Sequence, residues 1–159
     1  MQKSMFKSEK QTWETPDEFF ARLDKIFSFN LDACADGSNK KCEKYYTETD
    51  NSLTKEWFGS VWCNPPYSKF QRDFVKHGYN ESVKNNSTVV FLIPARPDTK
   101  LWQDFIFKKA SLICFVKGRI KFKGAKDSAP FPSAIVVFSN NDYDLTDFGH
   151  CLELHSVTL

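Results

Sequence analysis

Ser60-Val61-Trp62-Cys63-Asn64-Pro65-Pro66-Tyr67-Ser68 is the stretch on which the fold turns. Its first four residues form a compact run read as a buried strand. Two successive prolines then fix two φ angles and remove two backbone donors, so the chain cannot continue as strand or helix. Ser68 is expected to cap a helix that carries Phe70, Phe74, Val75, Tyr79 and Val83 on one side. The order is strand, rigid loop, helix. Beyond it, Thr88-Val89-Val90-Phe91-Leu92-Ile93 is a continuous β-branched run of the kind buried on both faces of a parallel sheet, with Pro94 as its stop.

On the N-terminal side, Thr15-Pro16-Asp17-Glu18 reads as a helix start, with Thr15 as cap, a proline in the first turn and a glutamate three residues after the cap. Phe19, Phe20, Leu23, Ile26 and Phe27 give that helix an aromatic face, and it should end near Ser28. Residues 29–35 read as a short buried strand ending in small residues and an acid, Asp32. Tyr45-Tyr46 reads as a brief strand, and Asp50-Asn51-Ser52-Leu53 as a turn into a short helical segment ending at Trp57-Phe58. On the C-terminal side, Asp98 is expected to cap a helix through Leu101, Trp102, Phe105 and Ile106. Leu112 to Val116 and Ser133 to Phe138 are further strands. Alternating strands and helices, then strands in succession, predict an α/β sheet with an antiparallel hairpin at one edge.

Composition narrows the function. The 159 residues carry 22 Lys and Arg against 20 Asp and Glu, a formal charge of +2, with 41% apolar residues. This describes one globular domain, residues 13–159, behind a polar N-terminal arm, residues 1–12, expected to be flexible. No stretch approaches the ~20 apolar residues of a membrane span, and the first residues lack the apolar segment of a signal peptide, so a cytoplasmic location is expected. Five cysteines without a CxxC pair and three scattered histidines argue for reduced thiols and against a metal site.

Asn64-Pro65-Pro66-Tyr67 is the most informative tetrapeptide. A strand end here presents an amide, free carbonyl oxygens and an aromatic ring, rigidly held. That set suits a planar ring bearing an exocyclic amine. Acceptors against both N–H bonds of such an amine, the Asn64 side-chain oxygen and the Pro65 carbonyl, favour a pyramidal nitrogen with an available lone pair. Tyr67 can stack on the ring, a contact worth roughly 1–3 kcal/mol in nucleic-acid complexes. Alone, the tetrapeptide can also be read as a tight turn.

The neighbourhood adds to it. Residues 13–138 resemble the phage-type DNA adenine-N6 methyltransferase (Dam) family of S-adenosylmethionine-dependent enzymes. The resemblance rests on the order of several short motifs: Trp13-Glu14-Thr15-Pro16, Leu31-Asp32-Ala33-Cys34-Ala35, Tyr45-Tyr46, Asp50-Asn51-Ser52-Leu53 and the stretch from Val61 to Ser68. Pro94-Ala95-Arg96-Pro97-Asp98-Thr99, residues 118–125 and Ala129-Pro130-Phe131-Pro132-Ser133-Ala134 continue it. It implies a Rossmann-like methyltransferase sheet and S-adenosyl-L-methionine as cofactor. It also implies that Asn64, Pro65, Pro66 and Tyr67 form the catalytic loop and that Asp32, with Ala33 and Cys34, faces the cofactor together with Asn64. Trp13 would contact the cofactor, Thr15 and Pro16 would help seat its methionine end, and Asp50 would lie near its adenine. The glycine-rich turn of the wider methyltransferase class is absent, Ala33-Cys34-Ala35-Asp36-Gly37 standing in its place.

The expected substrate is double-stranded DNA with the target adenine flipped out of the stack. Methylation at cytosine C5 needs a cysteine nucleophile, whereas Cys63 precedes Asn64 on a strand and is expected to point into the core. Residues 117–126 gather Lys117, Arg119, Lys121, Lys123 and Lys126 around Ile120 and Phe122, and alternation on a strand would put Arg119, Lys121 and Lys123 on one phosphate-facing side. Arg96, just past a parallel strand, is a second candidate. With little room for a separate recognition domain, target recognition falls to loops or to a homodimer. Methylation of an RNA adenine or a protein glutamine, and a non-catalytic DNA-binding module, stay open as alternatives.

Overall fold

The computed structural model describes residues 13–154, so the expected N-terminal arm lies outside it. Six strands form one sheet in the order β1 (Leu31–Asp32), β2 (Ser60–Cys63), β3 (Thr88–Pro94), β5 (Ser133–Phe138), β4 (Leu112–Val116), β6 (Gly149–Glu153). β1, β2 and β3 run parallel, and every later pairing is antiparallel. The fold is therefore α/β as expected, but its antiparallel part extends to β3. β5 inserts between β3 and β4, so β3 has a parallel neighbour on one side only. Every residue of β3 is buried, Pro94 included, which closes the strand rather than standing outside it.

The period-two alternation of the strands divides the core into two layers. Val61, Cys63, Val89, Phe91 and Ile93 face α2 (Phe70–Asn85) and the segment around Trp102. Trp62, Val90, Leu92 and Cys114 face α1 (Asp17–Phe27), with Ile120, Phe122 and Phe131 from the loop joining β4 to β5.

Several local expectations are corrected. Pro16, not Thr15, occupies the α1 cap position, where its carbonyl accepts from Phe20 N, and no side chain caps the helix. Left-handed Ser28 ends α1 where expected. Lys69 rather than Ser68 is the α2 cap residue, although Ser68 Oγ still accepts from Phe70 N at 3.2 Å. Asp98 caps nothing; Lys100 precedes a π-helical turn, Leu101–Ile106, that runs into a short α3 (Phe107–Lys109). The expected strand over 29–35 keeps a regular ladder only at Leu31–Asp32, because Tyr45 bridges Asp32 from the far side and the chain then turns away. The helical segment after Asp50 is one 3-10 turn, Ser52–Thr54, and Trp57 lies beyond it.

Residues 118–124 are not a strand. Gly118 and Gly124 take positive φ (78° and 83°), and the chain is pinned by Lys123 N donating to Glu14 O and Ala129 N to Ile120 O. Ile120 and Phe122 nevertheless turn inward, leaving Arg119, Lys121 and Lys123 exposed. β6, which pairs with β4, has no counterpart in the sequence reading; its mixed burial hides the alternation of a strand.

Candidate active site

The carboxyl ends of β1 and β2 open into a cavity of about 250 Å³, bounded by Trp13, Thr15, Asp32, Lys41, Asn64, Pro65 and Lys123 among others. A parallel sheet places ligands here, outside the strand ends where the loops diverge. Asn64 is the first residue past β2, and the two prolines after it are buried. Their fixed φ angles leave Asn64 little backbone freedom. Its side-chain nitrogen donates to the carbonyl of Trp13 and to Thr15 Oγ1 at 2.9 Å. Its oxygen, Oδ1, is buried without a hydrogen-bond partner among the described residues. A buried acceptor left open costs roughly 1–3 kcal/mol, and such atoms mark places where something else binds.

Asp32 reaches the same cavity from the end of β1. Its oxygens accept from Cys34 N at 3.2 Å and Lys41 N at 2.9 Å. Burial pushes its carboxyl up to about 7, against the lowering effect of those two N–H groups and the Lys41 charge. Cys34, half-buried, lines the cavity, whereas Ala33, expected beside it, is fully buried in the core and is not among the lining residues. Cys63 is fully buried and burial holds its thiol protonated, which removes it as a nucleophile.

A strap, residues 13–17, lies across the loop 64–67. Asp17 pairs with Lys41 at 2.8 Å and Lys123 at 3.1 Å, and Lys123 also reaches Glu14 at 3.3 Å. Lys123, expected beside Arg119 and Lys121 as a phosphate ligand, is thus spent on two carboxylates at the cavity wall. Lys41 and Glu14 escaped the sequence reading. Lys41 sits in an aperiodic segment, and half of its part is played by its backbone N–H, which no side-chain pattern reports.

Tyr67 faces a second cleft, of about 460 Å³, shared with Trp13, Gln71, Arg96 and Phe131. Its hydroxyl donates to Leu92 O at 3.2 Å, and its ring meets Phe131 edge-on at 5.5 Å. Burial raises the phenol far above its ordinary range, so it stays neutral. The Arg96 guanidinium is exposed on the rim, 5.9 Å from the Phe131 ring centre. Trp13 lines both cavities.

Other expected residues lie elsewhere. Asp50 is exposed and not among the cavity's lining; its carboxylate accepts from Thr47 N at 2.7 Å and Thr47 Oγ1 at 3.0 Å, which holds it below the usual carboxylate range. Pro16 lines a separate groove of about 420 Å³ together with Arg22, Lys117, Arg119 and Lys121. Arg22 sits 4.2 Å over the Phe148 ring, and Arg119 donates to Ala129 O at 3.4 Å.

An α/β sheet with one reversed strand inserted beside its parallel half, and a cavity at the parallel strand ends beside an Asn-Pro-Pro-Tyr loop, is the architecture of a Rossmann-like methyltransferase. The family model of DNA N-6-adenine-methyltransferase (Dam) matches residues 2–143. The chain is 38% identical over 120 residues to the DNA N-6-adenine-methyltransferase of Haemophilus phage HP1 (strain HP1c1), covering 73% of this chain and 68% of that one. To the enzyme of the same name from Escherichia phage T1 it is 39% identical over 94 residues, 57% of this chain and 38% of that protein. To the putative methyltransferase YfdM of Escherichia coli (strain K12) it is 41% identical over 63 residues, 35% of this chain and 69% of that protein. The chain belongs to the DNA N-6-adenine-methyltransferase (Dam) family.

Proposed function

We propose that this adenine-specific DNA methyltransferase uses S-adenosyl-L-methionine and methylates N6 of an adenine flipped out of double-stranded DNA. The observation that carries the reading is the unpartnered Oδ1 of Asn64, a buried acceptor on a residue lining the cavity, with its amide nitrogen already engaged.

The residues present fit the cofactor. Asp32 offers a buried carboxylate for a cationic or hydroxylated group, and Cys34 lines the cavity with a small side chain where the usual glycines are missing. Trp13, Lys41 and Asn64 complete the wall. When bound, S-adenosyl-L-methionine supplies a methyl group made electrophilic by its sulfonium. The protein's part is to present the amine. Asn64 Oδ1 accepts one N6 hydrogen and the Pro65 carbonyl the other, which draws the nitrogen lone pair out of conjugation. As the N–C bond forms and the bond from that methyl to sulfur breaks, leaving a neutral thioether, those same acceptors would stabilise the positive charge on N6, and its proton would pass to water when the site reopens. Trp13, Tyr67 and Phe131 enclose the base and exclude solvent, while rigid Pro65 and Pro66 hold the acceptors at fixed separation. The flipped adenine sits where the two cavities meet at Trp13, its ring toward the second cleft and its N6 toward Asn64, with Arg96 on the rim toward a phosphate. Lys117, Arg119 and Lys121, joined by Arg22, follow the DNA backbone farther along. Asp50 supports its own turn, away from the cofactor. The protein works in the cytoplasm, as a single copy or a homodimer.

The test offers radiolabelled S-adenosyl-L-methionine with four acceptors: duplex DNA, single-stranded DNA, RNA and a glutamine-containing peptide. Label on duplex DNA recovered as N6-methyladenine supports the reading. Label preferring RNA or peptide, alongside measured cofactor binding, overturns it. DNA binding without any transfer would favour the non-catalytic module.

A further inference from the structure

We propose that Thr15 is a positioning residue for methyl transfer: with the main-chain carbonyl of Trp13, it holds the Asn64 amide in the orientation that leaves Oδ1 for the substrate. The inference rests on the role given to Asn64 above and replaces the seating of the cofactor's methionine end as the task of Thr15.

An asparagine side chain has two orientations, related by a half-turn, that exchange one acceptor for two donors. Only one of them presents oxygen to the incoming amine. A backbone carbonyl can only accept, so the contact with Trp13 O places nitrogen on that side. Thr15 Oγ1, 2.9 Å away, takes a second N–H contact from the same nitrogen. Both donors are thereby used, and Oδ1 is left buried and without a partner among the described residues. An open acceptor of this kind favours a flip or a rotation toward any available donor. Two fixed acceptors on the nitrogen oppose that motion, so the substrate's N–H meets a preorganised oxygen.

The placement of Thr15 is itself secured from three sides. It is 2% exposed, and Pro16 after it fixes the chain direction into α1. On either side of it, Glu14 O accepts from Lys123 N, and Asp17 pairs with Lys41 and Lys123. The strap is thus tied both to the loop after β1 and to the loop before β5. A hydroxyl needed only for cap formation would face the helix N–H groups, yet α1 has no side-chain cap.

The experiment compares the full chain with Thr15→Val, which keeps shape and burial but loses the acceptor, and Thr15→Ser, which restores it. Single-turnover transfer is measured at saturating cofactor and duplex DNA, and affinity for S-adenosylhomocysteine by calorimetry. The valine variant should transfer about tenfold more slowly, as expected for loss of roughly 1.4 kcal/mol of orientation in the transition state, with cofactor affinity little changed. Serine should recover most of the rate. A valine variant as fast as the parent overturns the proposal. So does one slowed only through weaker cofactor binding, which would return Thr15 to the methionine end.

A readout independent of activity is the pair of Asn64 side-chain NH2 resonances, assigned through their loss in Asn64→Ala. In the parent both protons should exchange slowly with water; in Thr15→Val one should exchange about tenfold faster, as a lost hydrogen bond of about 1.4 kcal/mol implies. An unchanged pair overturns the proposal. Altered exchange in a protein that methylates no DNA supports the Thr15 contact and overturns only the assigned substrate.

Discussion

Asp32 is the residue whose chemistry is most sensitive to conditions. Burial raises its carboxyl to about 7 from an ordinary 3.8. Between those values the folded protein holds a proton that the unfolded chain releases. The contribution of Asp32 to stability therefore falls as pH rises from about 4 to 7 and is level above that. Cofactor affinity should run the other way, strengthening through the same window as the ionised form becomes available to a cationic group. Calorimetric titrations at several pH values should show a midpoint near 7, with the Lys41 charge favouring ionisation and Asp36 opposing it. Asp32→Asn should flatten the profile; an unaltered midpoint would assign the titration to another group. Tyr67 divides into a ring and a hydroxyl. Tyr67→Phe loses only the bond to Leu92 O, about 0.5–1.5 kcal/mol of stability. Tyr67→Ala loses the ring and should weaken DNA binding by about 1–3 kcal/mol if the base stacks there.

At the scale of elements, α2 sits close on β3 because Gly78 has no side chain. A Cβ there would lie 2.5 Å from the Phe91 ring and 3.1 Å from Trp57. Glycine to alanine inside a helix ordinarily gains about 0.5–1 kcal/mol. Overpacking a full core costs about 1–3 kcal/mol, so here the clash wins. Gly78→Ala should lower the denaturation midpoint, and a rise would show that the Phe91 ring moves aside freely. The elements legible in sequence were those with a single dominant signal, such as β3 with its unbroken apolar run and α1 with its aromatic face. The expected caps differ because the Thr15 hydroxyl serves Asn64, while Ser68 stands one residue ahead of the cap position, its Oγ still accepting from Phe70 N. β6 was missed because an edge strand half open to solvent carries no strict alternation. In the basic loop the inward turn of Ile120 and Phe122 was legible, while the capture of Lys123 by Glu14 and Asp17 was not, since those partners lie far away in sequence.

Over the whole molecule, a near-neutral chain must bind DNA through local charge. Lys117 and Lys121 are exposed and carry no ion pair among the described residues, whereas Lys123 is held by two carboxylates. Each phosphate contact adds about 0.9 to the logarithmic salt slope of DNA binding. Lys117→Gln and Lys121→Gln should each reduce that slope by about one, and Lys123→Gln by much less. Equal effects at all three would place Lys123 on the DNA after all. Part of the candidate site is legible in the sequence: Asn64-Pro65-Pro66-Tyr67 and Asp32 stand at the strand ends that the pattern indicates. Lys41 and the strap acquire their roles only through tertiary contacts.

The central claim is that methyl transfer takes place at the open oxygen of Asn64. Its most direct measurement is tritiated-methyl transfer from S-adenosyl-L-methionine to unmethylated duplex DNA, followed by nucleoside analysis, for the parent and for Asn64→Ala. The account requires labelled N6-methyladenine from the parent and its loss by at least about 100-fold in the variant, a loss of about 2.7 kcal/mol or more in transition-state stabilisation. Cofactor binding should survive in the variant. Undiminished transfer by Asn64→Ala, or label in a nucleoside other than N6-methyladenine, would contradict it.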